Sequence, residues 1–200
     1  MEKLVLVSPD SKLRRRSIKS RIAKFILKLF GWKVIGVKPE YKKYLLLCEP
    51  HTSNWDFIFG VLAMYAYGMK SRFIIKAEVM FFPLNMLMKS LGAIPIDRSK
   101  KSGQSNVDLI CAAIDKTKEG AIAISPKGTR KKTIRLKSGF YYIAKRLNIP
   151  VCYGYFDYKK KTIGLGETRF MEGTLEEEMK YIFDFYKDKT PKHIKYNTFQ

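Results

Sequence analysis

His51 and Asp56 stand five positions apart in the run His51-Thr52-Ser53-Asn54-Trp55-Asp56, directly after the apolar stretch Tyr44-Leu45-Leu46-Leu47-Cys48. Histidine is the side chain best suited to take up a proton near neutral pH. A carboxylate bonded to its far ring nitrogen would fix the tautomer and stabilise the imidazolium that forms. In a continuous α-helix, five steps of about 100° leave two residues roughly 140° apart, on different faces. The pair therefore meets only if His51 precedes a helix and Asp56 lies in its first turn. The sequence favours that arrangement: Leu45 to Cys48 reads as a buried strand, Glu49-Pro50 ends it, and Ser53 or Asn54 suits an N-cap. Asp56 then lies near the positive end of the helix dipole. The spacing alone is equally compatible with a polar turn that holds a capping aspartate and an incidental histidine.

Two other segments offer groups that bind anions. Gly92-Ala93-Ile94-Pro95-Ile96-Asp97-Arg98 reads as an apolar strand ending in a charged pair. The planar fork of Arg98 suits a phosphate, or else pairs with Asp97 at the surface. Ser125-Pro126-Lys127-Gly128-Thr129-Arg130 follows the apolar strand Ala121–Ile124. Gly128 permits a close backbone approach or a positive φ. Thr129 brings a hydroxyl, and Lys127 and Arg130 bring cationic donors, with Lys131, Lys132, Arg135 and Lys137 close behind. The combination suits a phosphate cradle or a solvated basic turn. It lacks the G-x-x-x-x-G-K-[ST] spacing of a P-loop.

The elements that must position these groups alternate in type. Strands are expected at Val34–Val37, Tyr44–Cys48, Phe73–Ile75, Ala93–Ile96, Ala121–Ile124, Val151–Phe156 and Thr162–Leu165. Helices fit Asn54–Tyr67, Met80–Ser90, Asn106–Lys118, Gly139–Leu147 and Leu175–Tyr186. Gly120 is a plausible stop for the third of these, and Thr174-x-x-Glu177 a capping box for the last. This alternation implies an α/β fold: a single domain with a mixed, mostly parallel sheet covered by helices. Two hundred residues suffice for one substantial core.

The segment Ser11 to Lys33 differs from the rest. It carries nine basic residues and no acidic one, while Ile18, Ile22, Phe25, Ile26, Leu29 and Phe30 recur at helical spacing. Gly31 should end this helix, and Trp32 follows. A basic amphipathic N-terminal helix of this kind fits a membrane interface. Residues 1–33 are therefore expected to form a membrane-interface segment and residues 34–200 the main domain. Arg14, Arg15, Lys19, Ile22, Phe25, Ile26, Leu29, Phe30 and Trp32 are the expected lipid contacts. A helix packed on the domain with a solvated basic face is the alternative, and nucleic-acid binding a third reading.

The net charge of +21 calls for a polyanionic partner: nucleic acid, an anionic membrane or a phosphorylated substrate. The three cysteines, Cys48, Cys111 and Cys152, lie in apolar segments without a CxxC spacing, which reads as reduced core thiols in a cytosolic compartment. With only one further histidine, His193, no metal site is expected. The longest uncharged apolar run, Phe57 to Met69, is shorter than the ~18–20 residues a membrane span needs, and no secretory signal is evident. The expected location is therefore cytoplasmic, peripheral on the inner face of the cell membrane.

Taken in order, four segments resemble the motifs of the glycerolipid acyltransferase family, whose best-known bacterial members are 1-acyl-sn-glycerol-3-phosphate acyltransferases. The first motif, His-x4-Asp, is matched by His51 and Asp56. The second, Gly-x5-Arg, is matched by Gly92 and Arg98. The third, typically Pro-Glu-Gly-Thr-Arg, is matched by Pro126, Gly128, Thr129 and Arg130, and the fourth by Ile149-Pro150-Val151. Lys127 stands where the family usually has Glu, and Tyr153 where the fourth motif often has a second Pro. The resemblance spans roughly Tyr44 to Phe156.

It implies acyl transfer from acyl-CoA or acyl-carrier protein, as co-substrate, to the hydroxyl of a lysophospholipid such as 1-acyl-glycerol-3-phosphate, in phospholipid biosynthesis. His51 would act as base and Asp56 as its orienting partner. Arg98, Lys127, Gly128, Thr129 and Arg130 would hold the acceptor phosphate. No cofactor is implied. The substitution at Lys127 leaves open another acceptor, such as a lyso-aminolipid; a non-catalytic binder of anionic lipid or nucleic acid is the remaining alternative. Phe57–Met69 and Met80–Leu84 either line an acyl groove or pack as core.

Overall fold

The computed structural model describes residues 17–97 and 105–199. Its elements, in chain order, are α1 (Ile18–Leu29), β1 (Lys33–Ile35), β2 (Lys43–Glu49), α2 (Asn54–Ala66), β3 (Ser71–Lys76), α3 (Leu84–Ser90), β4 (Ala93–Ile96), α4 (Asn106–Asp115), β5 (Gly120–Ile124), α5 (Gly139–Leu147), β6 (Val151–Asp157), β7 (Thr162–Arg169) and α6 (Leu175–Tyr186). The strands form one sheet in the order β1-β7-β6-β2-β5-β3-β4. All neighbours pair in parallel except β6 and β7, which are antiparallel. The chain is therefore α/β, with a mixed, mostly parallel sheet flanked by helices.

β2 lies between β5 and β6 and is apolar on both faces, as a central parallel strand must be. Leu45 and Leu47 pack on one side with Ile110 and Ile114 of α4, Phe140 and Ile143 of α5, and Ile182 and Tyr186 of α6. Tyr44 and Leu46 pack on the other side with Met64 of α2. Alternate residues thus serve opposite layers, the period-two rule of a strand.

Two helix boundaries differ from expectation. The helix expected from Met80 begins at Leu84, because Pro83 lacks an N–H and disfavours helical geometry at Phe82 before it. Gly120 opens β5 instead of closing α4, which ends at Asp115; the Gly120 N–H donates to the Lys42 carbonyl at 2.8 Å as the strand starts.

α1 lies against α2. Ala23 and Leu27 face inward, into a cluster with Phe59, Ala63, Ala66, Phe156 and Ile163. Ile18, Ile22, Phe25 and Leu29 point outward, alongside exposed Lys19, Arg21, Lys24 and Lys28. Ile26 is half-buried and Phe30 exposed. Trp32 departs from its expected role: it is only 3% exposed. Gly31 adopts a φ of 76°, the left-handed conformation that glycine tolerates, and reverses the chain. The Gly31 and Trp32 N–H groups then donate to the carbonyls of Lys28 and Leu27, at 2.9 and 2.8 Å. This folds the Trp32 ring under the helix, 5.0 Å from Phe59 and 4.8 Å from Tyr158 by ring centroids. Arg14 and Arg15 lie outside the described residues. Among the described residues, no helix is long and apolar enough to cross a membrane.

This orientation of α1 separates two leucines two positions apart. Leu27→Ala should cost about 2–5 kcal/mol by leaving a cavity in the buried seam. Leu29→Ala, at a position 74% exposed, should change stability by no more than about 0.5 kcal/mol. Urea denaturation of the two variants would measure both.

Candidate active site

Because β2, β3, β4, β5 and β6 run parallel, their C-terminal ends share one edge of the sheet. That edge is where open α/β sheets form clefts. The chain leaves β2 through a cis Glu49–Pro50 bond, passes His51, and enters α2 after Ser53 as N-cap. The Ser53 hydroxyl accepts the Trp55 N–H at 3.2 Å, and Asp56, three residues into the helix, returns to accept the Ser53 N–H at 2.7 Å. This is a capping box with Asp in place of Glu.

The same carboxylate oxygen, Oδ2, also accepts the Thr52 N–H at 2.8 Å and lies 3.2 Å from Nδ1 of His51. The other oxygen, Oδ1, accepts the Tyr158 hydroxyl at 2.5 Å. Burial of Asp56 opposes its charge. The bonds from His51, Tyr158, Ser53 and Thr52 outweigh that cost and hold its pKa below the ordinary carboxylate value. Beside an anionic Asp56 the neutral form of the ring carries its hydrogen on Nδ1, and in that tautomer Nε2 keeps its lone pair. The His51 side chain retains 25% exposure.

A second buried carboxylate lies behind the first. Glu49 accepts the His51 N–H at 2.8 Å through Oε2, and the Ser125 hydroxyl at 2.5 Å and the Lys127 N–H at 3.2 Å through Oε1. Burial pushes its pKa up, against the pull of these donors. The segment after β5 is thereby tied to the end of β2. Beyond it, Gly128 takes a φ of 64°, and the chain emerges: Gly128, Thr129, Arg130, Lys131, Lys132, Arg135 and Lys137 are exposed. Arg130 reaches across to α2 and donates from Nη1 to the Asn54 side-chain oxygen. The structure thus brings His51, Asp56 and Arg130 to one sheet edge. Arg98 lies outside the described residues.

Residues 33–153, more than half of the chain, match the sequence model of a family described as Acyltransferase. The chain belongs to the acyltransferase family. No curated protein matches it. Among solved structures it resembles the crystal structure of the 1-acyl-sn-glycerophosphate (LPA) acyltransferase PlsC from Thermotoga maritima. That match has a TM-score of 0.57 and 14% sequence identity, and covers 90% of this chain and 81% of the other. At that identity the likeness concerns the fold.

For this acyltransferase, Lys127 is placed otherwise than a phosphate ligand would be. Its side chain turns inward, 2% exposed, and donates from Nζ to the carbonyls of His51, at 3.3 Å, and Tyr196. Burial pulls its pKa down, opposed by the charges of Glu49 and Asp56. Among the cations of the third motif, Arg130 remains exposed to a ligand.

Three participants escaped the sequence reading. Glu49 carries a signal in retrospect, an acidic residue closing an apolar strand one step before Pro50. Tyr158 carries none: it reaches Asp56 across 102 positions, from the turn after β6. The segment from Thr190 onward also closes on the site, with the His193 N–H donating to the Thr52 hydroxyl at 3.2 Å.

Tyr158→Phe keeps the ring that packs on Trp32 and removes one donor from Asp56. A hydrogen bond to a charged group contributes about 1.5–3 kcal/mol, so the variant should lose stability of that order at neutral pH. The Asp56 pKa is depressed in the folded state. Its contribution is therefore present above the unfolded value of ~3.9 and lost as pH falls through the lower folded value. The gap between wild type and Tyr158→Phe should narrow below about pH 4, which urea titrations at pH 7 and pH 3 would measure.

Proposed function

We propose that the protein transfers a fatty acyl group from a thioester, acyl-CoA or acyl-carrier protein, to the hydroxyl of a lysophospholipid, with 1-acyl-glycerol-3-phosphate as the acceptor. The observation that carries this reading is the 3.2 Å approach of His51 Nδ1 to Asp56 Oδ2, with the His51 side chain left partly exposed, in an acyltransferase-family domain. Nε2 takes the proton of the acceptor hydroxyl as its oxygen attacks the thioester carbonyl. The tetrahedral intermediate then collapses: the C–S bond breaks, the thiolate leaves, and the proton held on Nε2 passes to sulfur. Asp56 keeps the ring in the required tautomer and stabilises imidazolium between these steps. No acyl-enzyme is needed.

Arg130, exposed beside the start of α2, and the Gly128–Thr129 turn supply the donors for the acceptor phosphate. Exposed Phe81 and Phe82, on the segment that leaves β3 at the same sheet edge, offer apolar surface for the acyl chain. The outward stripe of α1, namely Ile18, Ile22, Phe25 and Leu29 with the lysines beside it, rests on an anionic membrane. Phe30 connects that stripe to the start of α2, its ring 6.3 Å from that of Trp55 by centroids, and so offers a lipid acceptor apolar surface beside the His51 loop.

In a thioester-consumption assay with lysophosphatidate, His51→Ala should lower kcat by about 10²–10⁴-fold. Retained turnover would exclude the mechanism. Arg130→Gln should raise KM for lysophosphatidate more than for an uncharged lysolipid; equal effects would remove the phosphate from its role. The pair Phe25→Ser and Leu29→Ser should weaken co-sedimentation with vesicles rich in phosphatidylglycerol while leaving stability unchanged. Undiminished binding would exclude α1 as the contact.

A further inference from the structure

The C-terminal segment 190–199 is fastened to the site at several separate points. The Thr190 carbonyl accepts the Tyr158 N–H at 2.8 Å. The Lys192 ammonium lies 5.0 Å from the centre of the Trp55 ring. The His193 N–H donates to the Thr52 hydroxyl. The Tyr196 carbonyl accepts from Lys127. Phe199 then anchors the end of the segment in the core, against Phe183 and Tyr186. Three of these ties fall on Thr52, Trp55 and Tyr158, each in or directly bonded to the His51–Asp56 loop.

His51 itself is held at three places. Its ring meets Asp56, its N–H donates to Glu49, and its carbonyl accepts from Lys127. The last two fix the backbone on either side of the residue, and so fix the direction in which the ring leaves it. An ammonium group has three donors on a compact head, and Lys127 directs it to two carbonyls from chain segments far apart in sequence. A buried cation is costly unless its donors are satisfied and opposite charge is near, so its presence in a 2%-exposed position requires an account.

We propose that Lys127 is a positioning residue, a clamp that joins the C-terminal segment to the His51 peptide and thereby holds the catalytic base in register. The segment is on this view part of the catalytic unit and not a trailing end. The catalytic half of the proposal rests on the acyl-transfer reading above; the clamp itself does not.

The test uses full-length Lys127→Met and Lys127→Gln. Methionine keeps the length of the side chain and removes every donor, while glutamine retains a neutral donor should the first variant fold poorly. Hydrogen exchange followed by mass spectrometry needs no substrate and reads the clamp directly. In the variants, peptides covering 190–199 and 51–56 should exchange at least tenfold faster, with β2 and β6 unchanged and methionine the more severe. With acyl donor and lysophosphatidate, kcat should fall at least tenfold while both KM values stay within about twofold, since the acceptor contacts lie elsewhere. Unchanged exchange in 190–199 would overturn the clamp, whatever happens to activity. Faster exchange there with kcat within twofold of wild type would overturn the positioning role. Wild type without turnover on any lysolipid would count against the acyl-transfer reading alone, and the exchange data would still decide the clamp.

Discussion

The carboxylate of Asp56 is the group around which the site is built. An ionised carboxylate has about four acceptor positions and no donor. Here four donors converge on it: the Thr52 and Ser53 N–H groups, the His51 ring and the Tyr158 hydroxyl. A charge buried this deeply is tolerable only when so satisfied. Each donor imposes a condition on the fold. Two backbone donors require α2 to begin where it does. The ring requires His51 to lie just before the helix, and the hydroxyl requires β6 to end beside β2, so that the turn after it delivers Tyr158.

The two buried carboxylates have opposite tendencies, and the difference sorts their roles. Asp56 is surrounded by donors and stays ionised, which is what an orienting partner of an imidazolium must do. Glu49 is more deeply enclosed and its pKa is raised, so its negative charge is the harder of the two to maintain. Its contacts are structural: it ties the end of β2 to Ser125 and Lys127 after β5, and holds the backbone of His51. The buried Lys127 ammonium lies between them in electrostatic terms, with both carboxylates favouring its charged form against the penalty of burial. One carboxylate thus meets the His51 ring, and the other ties together the loop that carries it.

Periodicity made the scaffold legible. The apolar run at Tyr44–Cys48 alternates between two faces that are both covered, and a strand of that kind can only be central. The His51–Asp56 relation was legible for a different reason: a five-residue separation excludes one helix face, and a strand-cap-helix transition is the local geometry that reunites the two. Lys127 shows where such reading stops. Beside a glycine in a run of exposed cations it reads as another phosphate ligand. Its direction is set by carbonyls of His51 and Tyr196, 76 and 69 positions away, and no local pattern encodes those. Trp32 is misread in the same way. As the residue after a basic amphipathic helix it suits a membrane interface, but the reversal at Gly31 turns it under the helix, towards Phe59 and Tyr158.

That inward turn of Trp32 connects α1 to the His51–Asp56 loop. Leu27, Ala23 and Trp32 seat the helix on α2, and Trp32 packs edge-on against Tyr158, whose hydroxyl bonds Asp56. The helix that offers Phe25 and Leu29 to the exterior is therefore in mechanical contact, through two aromatic rings, with Asp56. Phe30 and Trp55 form a parallel connection at the surface, both packed on Phe59. Interiors are packed closely enough that a shift of α1 cannot be absorbed without moving these rings. Any surface that engages the outer stripe of α1 thus acts on a helix whose position also constrains Tyr158 and Asp56. One set of aromatic contacts thus joins the exposed face of α1 to the His51–Asp56 loop.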